Sequence, residues 1–131
     1  VIDDYAHHPT EIEATMKSIE LYDNLTNFNN RIVLWQPHKY SRTADNLEGF
    51  KKCFRRCDEL IILPLWTVAG EKKIDIDFEK EFASYNPIFA DRIVSYKGKI
   101  ELIKDDKIIK TYDEGIFLGV GAGDITYQLR Y

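Results

Sequence analysis

Short apolar runs bounded by polar turns alternate along the chain with segments in which apolar residues recur at helical spacing. The runs are rich in Ile, Val and Leu, which is typical of strands buried in a parallel sheet. They predict the strands Val1–Tyr5, Arg31–Gln36, Glu59–Leu65, Arg92–Tyr96 and Gly115–Val120. Because strands alternate with helices, we predict an α/β fold with a Rossmann-like, open, mostly parallel sheet flanked by helices on both faces.

Helix signals lie between these strands. Pro9 suits a first helical position, Thr10 and Glu13 have the spacing of a capping box, and Thr43 can cap the following helix. The predicted helices are Pro9–Tyr22, Thr43–Arg56, Asp77–Tyr85, Lys99–Ile109 and Asp124–Tyr131. The segment Lys107–Thr111, which overlaps the end of the fourth helix, is also compatible with a short edge strand.

Composition and charge limit the classes of partner. With 44% hydrophobic residues, the chain of 131 residues is sufficient for a single domain, residues 1–131, with a proper core. A net charge of −4 does not favour nucleic acid or an anionic membrane, so we expect a small-molecule or protein partner. No apolar run approaches the roughly 20 residues that span a bilayer, and we expect a soluble cytoplasmic protein. The chain begins within a predicted strand and its sole methionine is Met16, which suggests a piece of a longer protein.

The histidines and cysteines do not predict a metal site. His7 and His8 are adjacent, so on an extended turn their side chains point in different directions, and neither Cys nor another His recurs at zinc-like spacing. We expect one imidazole to face a crevice and the other to cap or pack the turn. Cys53 and Cys57 share an apolar stripe of a predicted helix, which favours core packing over a disulfide.

Chemically active side chains follow four of the predicted strands. The stretches are Asp4–Thr10, Gln36–Thr43, Val68–Glu71 and Gly119–Ile125. Because parallel strands end at one edge of a sheet, we expect these stretches to converge on one crevice. His38, Lys39 and Arg42 precede a helix that could itself receive an anion, a combination suited to a phosphate or an oxyanion. The glycines of the last stretch depart from the dinucleotide fingerprint and are equally compatible with close packing of a strand and a helix.

The chain resembles the C-terminal domain of the Mur ligases, in particular of the member that adds L-alanine to UDP-N-acetylmuramate. The resemblance is carried by four segments, which occur in the same order as in the family: Asp3–Glu11, Gln36–Thr43, Ala69–Glu71 and Gly121–Ile125. It implies a three-domain cytoplasmic ligase of peptidoglycan synthesis that uses ATP and Mg²⁺ and proceeds through an acyl phosphate and a tetrahedral intermediate. The domains that bind the UDP-sugar and most of the ATP and Mg²⁺ would precede Val1. This chain would close over them as a lid, and alone it would be inactive.

The resemblance also implies roles for individual residues. Asp4 matches an aspartate that reaches the nucleotide at the ribose, and Tyr5 and His7 match residues that line the region where amino acid and acyl phosphate meet. Arg42 matches an arginine near the intermediate. Lys39 stands where the family usually has arginine, so it keeps the charge but loses the planar two-pronged contact. The implied catalytic residues are His7, Arg42 and Lys39, and no metal ligand is implied.

Two alternatives remain open from the sequence. A related ligase recycles murein peptides by attaching a tripeptide to the same sugar nucleotide, but Gln36–His38 and Tyr40–Thr43 favour the alanine-adding member. Without the resemblance, the same residues also fit a non-catalytic module that binds a nucleotide in the crevice.

Overall fold

Two sheets organise the chain. The computed structural model describes residues 2–4, 8–26, 31–67, 69–96, 99–113 and 116–121. The strands within these ranges are β1 (Ile2–Asp4), β2 (Arg31–Trp35), β3 (Glu59–Ile62), β4 (Ile88–Phe89), β5 (Arg92–Tyr96), β6 (Lys99–Lys104), β7 (Lys107–Tyr112) and β8 (Ile116–Val120). One sheet is parallel in the order β1-β8-β2-β3-β4, and the other is antiparallel in the order β5-β6-β7.

Helices cover one face of the parallel sheet. Those within the described ranges are α1 (Pro9–Thr26), α2 (Tyr40–Asp45), α3 (Leu47–Cys53) and α4 (Phe78–Glu81), followed by a 3₁₀ turn at Ala83–Tyr85. The indole of Trp35, the last residue of β2, is 1% exposed and lies 5.0 Å from the rings of Phe50 and Phe54 and 5.2 Å from that of Phe82. Because aromatic rings bury large apolar areas, this cluster anchors the carboxyl end of β2.

The antiparallel sheet covers the opposite face. Ile93, Ile100 and Leu102 pack there in one core cluster with Ile32 and Leu34 of β2. The central strands are thereby buried on both faces, which explains their continuous apolar sequences. No helix among the described residues is long and apolar enough to cross a membrane.

The predicted α/β, Rossmann-like class is confirmed by the parallel sheet and its helices. Helices were expected on both faces, but among the described residues they cover one face and the antiparallel sheet covers the other. Arg92–Tyr96 is a strand as predicted, but it belongs to the antiparallel sheet, and Ile88–Phe89 takes the fifth place in the parallel sheet. This strand was not predicted because two residues are too few to produce a pattern. The predicted helix Asp124–Tyr131 lies outside the described residues.

The prediction of a helix over Lys99–Ile109 is wrong, because this segment begins a β-hairpin. β6 and β7 pair around Asp105 and Asp106, which have φ values of 52° and 61°. Two consecutive residues with positive φ form the turn whose twist matches that of paired strands. The alternative of an edge strand at Lys107–Thr111 agrees with β7.

The second predicted helix begins earlier than expected and is broken. It starts at Tyr40, and Thr43 lies inside it, fully buried, instead of capping it. The side-chain amide of Asn46 donates to the carbonyl oxygen of Arg42 over 2.9 Å. The same carbonyl also accepts a hydrogen bond from the backbone N–H of Asn46 over 3.2 Å, and Asn46 separates α2, which ends at Asp45, from α3, which starts at Leu47.

The first helix starts at Pro9 as predicted, but with a different cap. Nδ1 of His8 accepts a hydrogen bond from the backbone N–H of Thr10 over 3.3 Å, which confirms that one imidazole caps the turn. Glu13 forms ion pairs with Arg55 and Arg56 over 2.6 and 3.4 Å instead of closing a capping box. These ion pairs attach α1 to the turn that follows α3.

The cysteines pack in the core, as predicted. Cys53 is 1% exposed and its thiol lies 3.4 Å from the carbonyl oxygen of Phe50, and Cys57 packs against the same core cluster. Both thiols are free. Burial raises the pKa of the Cys53 thiol and raises that of Cys57 to about 12, so neither is poised as a nucleophile.

Candidate active site

The carboxyl ends of four parallel strands are level with one another at one edge of the sheet. In the strand register, Asp4 is paired with Val120, Val120 with Trp35, and Trp35 with Ile62. The four stretches singled out in the sequence follow these strand ends, so their predicted convergence on one edge is confirmed for the strand ends. Since β8 lies between β1 and β2, Asp4 and the loop after β2 are separated by about 10 Å, or two strand spacings.

The loop after β2 is attached to the segment after β3 through backbone hydrogen bonds. The N–H of Trp66 donates to the carbonyl oxygen of Pro37 over 2.7 Å, and the N–H of Lys39 donates to the carbonyl oxygen of Trp66 over 2.8 Å. These bonds place His38 in a parallel bridge with Trp66. The β2–β3 pairing thus continues beyond the regular strands and fixes the path of the loop.

Lys39 adopts a backbone conformation that residues with a side chain rarely adopt. Its φ is 65° and its ψ is 132° at the position before α2. The carbonyl oxygen of Lys39 accepts hydrogen bonds from the backbone N–H and the hydroxyl of Thr43, over 3.1 and 2.9 Å. Strained conformations persist where surrounding contacts over-determine them, and such positions cluster at functional sites.

The side chain of Arg42, in α2, contacts that of His38, which lies in the loop before this helix. Nη1 of Arg42 lies 3.1 Å from Nδ1 of His38. A guanidinium has only donors, so Nδ1 accepts and the imidazole proton resides on Nε2. The contact limits the freedom of the Arg42 side chain without placing a carboxylate against its charge.

A carboxylate from the segment after β3 binds the start of α2. Oε1 of Glu71 accepts a hydrogen bond from the backbone N–H of Ser41 over 3.1 Å and lies 3.5 Å from the Ser41 hydroxyl. One of the helix N–H groups expected to receive an external anion is therefore bound to the chain's own carboxylate.

The structure brings together only part of the predicted residue set. Lys39 lies in the loop after β2, Arg42 lies in the helix α2 that follows this loop, and Asp4 is the last residue of β1. Tyr5 and His7 lie outside the described residues, so the meeting of their side chains with Arg42 stays a prediction. Among the described residues, no group of three or more His, Cys, Asp or Glu could hold a metal ion.

Gly121 begins the glycine-containing loop after β8. Its φ is 146°, in the region that favours glycine. Residues 122–125 lie outside the described residues, so a contact of this loop with ligand stays untested. The φ value gives Gly121 a conformational role at the strand end.

Sequence reasoning missed the parts played by Trp66 and Glu71. Trp66 is 43% exposed. Its backbone N–H and carbonyl oxygen bind the loop after β2 at Pro37 and Lys39. Glu71 falls within a stretch that was singled out, but its partner Ser41 is 30 positions away. A contact over such a separation leaves no local periodic signal, and an acidic residue after a strand is the only hint.

Known proteins resemble the chain over almost its full length. UDP-N-acetylmuramate–L-alanine ligase of Helicobacter pylori is 55% identical over 99% of this chain and 29% of its own length. The ligase of the same name from Campylobacter curvus is 47% identical over 99% of this chain and 30% of its own length. The chain thus spans less than a third of these relatives. No family model matches it.

A solved structure supports the fold. Crystallised UDP-N-acetylmuramate–alanine ligase MurC of Thermotoga maritima has a TM-score of 0.53 and 22% sequence identity, covering 97% of this chain and 24% of that one. At this identity the likeness concerns the fold. The sequence relatives show that the chain belongs to the Mur ligase family, in which it corresponds to the C-terminal domain of UDP-N-acetylmuramate–L-alanine ligases.

Proposed function

We propose that the intact protein is an ATP-dependent ligase that joins L-alanine to the lactyl carboxylate of UDP-N-acetylmuramate in peptidoglycan synthesis. The observation that carries the proposal is the 55% identity, over 99% of this chain, to a ligase of that name. Residues 1–131 form one domain in this proposal, the C-terminal domain of a cytoplasmic three-domain enzyme. Upstream domains bind the UDP-sugar and most of the ATP and Mg²⁺.

The positive charges of Lys39 and Arg42 give a physical reason why this domain contributes to catalysis. The acyl phosphate and the tetrahedral intermediate of such a reaction concentrate negative charge, so cations held in place stabilise them more than they stabilise the substrates. Arg42 is held by an imidazole nitrogen that accepts its hydrogen bond. Because this partner is not a carboxylate, the charge of Arg42 stays available to an anion. Lys39, three residues before it, adds a second positive charge to the same loop.

The proposal also gives roles to Asp4, the last residue of β1, and to Tyr5 and His7, which follow it in the sequence. Asp4 contacts the nucleotide, and Tyr5 and His7 line the place where the amino acid meets the acyl phosphate. Asp4 and the Arg42 loop lie about two strand spacings apart, or about 10 Å, a width that suits a ligand bound between them. Closing this domain over the upstream domains would bring both sides to the reacting atoms and exclude water.

The test is an assay of the full-length protein for ADP release. UDP-N-acetylmuramate and ATP are supplied with L-alanine, glycine, L-serine or a murein tripeptide. We expect ADP release that depends on L-alanine. Release only with the tripeptide would identify the recycling ligase instead, and no release with any acceptor would overturn the proposal of a ligase.

The chain of 131 residues alone provides a second test. If it acts as a lid, it should release no ADP under the same conditions and should bind ATP weakly or not at all. Calorimetric titration of the chain with ATP measures this directly. Tight binding would contradict the assignment of ATP to the upstream domains.

A further inference from the structure

Glu71 contacts the short helix that carries Arg42. Its Oε1 accepts from the backbone N–H of Ser41 over 3.1 Å, and the Ser41 hydroxyl lies 3.5 Å away. Ser41 is the residue next to Arg42 in α2. The carboxylate therefore acts on the backbone from which the guanidinium extends.

α2 depends on contacts from outside for its position. It has six residues, and an isolated helix of this length is not stable in water. Its start follows Lys39, whose φ of 65° is itself unfavourable. The segment after β3 supplies two attachments, the backbone bonds of Trp66 and the side chain of Glu71. Only the second depends on the identity of a side chain.

The backbone before Glu71 has an unusual conformation. Gly70 has a φ of 81°, and apart from its two neighbours in the chain no described residue has an atom within 4 Å of the place where a Cβ would stand. A glycine is favoured here by its backbone conformation, since the space around it is open. The turn directs the chain into Glu71 immediately before the contact with Ser41.

We infer that Glu71 is a positioning residue for the ligase reaction, which holds α2 so that Arg42 faces the reacting anion. The inference rests on the proposed function. Glu71 acts through Ser41 and Arg42, so its contribution is geometric. A displacement of about 1 Å at a catalytic group can lower the rate by about 10²-fold, which gives this contact a measurable weight.

The two carboxylate oxygens of Glu71 differ in their surroundings. Oε1 holds Ser41, whereas Oε2 is buried without a hydrogen-bond partner among the described residues. A glutamine can present its carbonyl oxygen to Ser41 in the same way, with its NH₂ group in place of Oε2. Aspartate keeps the charge but is one methylene shorter. The two substitutions therefore separate reach from charge.

The experiment measures kcat and KM of the full-length enzyme with Glu71→Gln, Glu71→Asp and Glu71→Ala. We expect the Gln variant to keep most of the wild-type kcat, and the Asp and Ala variants to lose about 10²-fold in kcat with little change in KM for UDP-N-acetylmuramate. Glu79→Ala, at an exposed position of α4, is the matched control and should leave kcat unchanged. If the Ala variant does not fold, the comparison of Gln with Asp still decides.

A double-mutant cycle with Arg42→Ala gives the readout that a purely structural role would not produce. Since Glu71 acts through Arg42, Glu71→Ala should lower kcat little further once the guanidinium is gone. Two losses that multiply would overturn the inference, and so would a Gln variant as impaired as the Ala variant. A wild-type enzyme that releases no ADP would instead contradict the proposed function, so the two failures are distinguishable.

Discussion

The guanidinium Nη1 of Arg42 lies 3.1 Å from the imidazole Nδ1 of His38, at the carboxyl end of the parallel sheet. The two residues are four apart, and the intervening backbone is attached to Trp66 and to Thr43. The cation is thus held by a fixed segment of chain, which reduces the reorganisation needed when a negative charge develops nearby.

Arg42→Ala in the full-length enzyme should lower kcat by about 10²- to 10³-fold, or about 3 kcal/mol of transition-state stabilisation, the range observed when one preorganised oxyanion donor is removed. Steady-state kinetics with L-alanine measure the effect. Arg55→Ala is the control, because Arg55 is exposed and pairs with Glu13 on α1. Turnover of the Arg42 variant near that of the wild type would remove Arg42 from the mechanism.

Lys39 allows the effects of backbone strain and charge to be separated. Lys39→Gly and Lys39→Ala both remove the ammonium, but only glycine adopts a φ of 65° without strain. We expect the Gly variant to be more stable than the Ala variant by about 1 kcal/mol, measured by chemical denaturation. Both should lose the same share of ligase activity if the charge contributes. Equal stabilities would show that this conformation is not strained.

Gly49 of α3 should resist enlargement because it faces Pro9 at the start of α1. A Cβ at Gly49 would lie 2.9 Å from Cγ and 3.0 Å from Cβ of Pro9, so the helices would have to separate. The gain of about 1 kcal/mol that alanine normally brings to a helix should therefore be absent, and overpacking should destabilise the fold by about 1–3 kcal/mol.

Denaturant unfolding of Gly49→Ala tests this. Pro9→Ala in the same chain removes the Cγ contact and should restore part of the loss. Lys52→Ala, at an exposed position of α3, measures the effect of alanine without a clash. A Gly49 variant as stable as the wild type would contradict the close approach of the helices.

Tyr112 predicts a loss of stability at alkaline pH. Burial and the neighbouring Glu59 carboxylate raise its pKa to about 12, whereas in the unfolded chain it is about 10. Below about pH 10 the phenol is protonated in both states, so its contribution is fully present. As pH rises from about 10 to 12 the unfolded chain loses the proton first, and the free energy of unfolding falls.

Tyr85 and Cys57 act in the same direction, since burial raises the pKa of each to about 12. Denaturant unfolding at a series of alkaline pH values should show this decline, and Tyr112→Phe should reduce its slope between about pH 10 and pH 12. The absorbance of tyrosinate reports the titration independently. An unchanged slope in the Phe variant would contradict the assignment to Tyr112.

The fold class could be predicted from the sequence because strands buried on both faces are continuously apolar. Ile32–Trp35 and Leu60–Ile62 are read correctly for this reason, and so is the start of α1 at Pro9. The hairpin of β6 and β7 was assigned as helix, since its apolar residues also fit helical spacing and two successive aspartates are not a typical hairpin turn. Its pairing is a tertiary outcome, in which Ile100 and Leu102 are buried against the parallel sheet.

The candidate site was likewise predictable from the sequence only in part. Strand ends carry polar residues in the sequence, and parallel pairing places them at one edge, so the location of the site and the cations Lys39 and Arg42 follow from local pattern. The bond between Glu71 and Ser41 and the bridge between His38 and Trp66 were decided only by tertiary structure. These contacts join segments about 30 residues apart through one or two hydrogen bonds each, and such isolated bonds impose no periodicity on either segment.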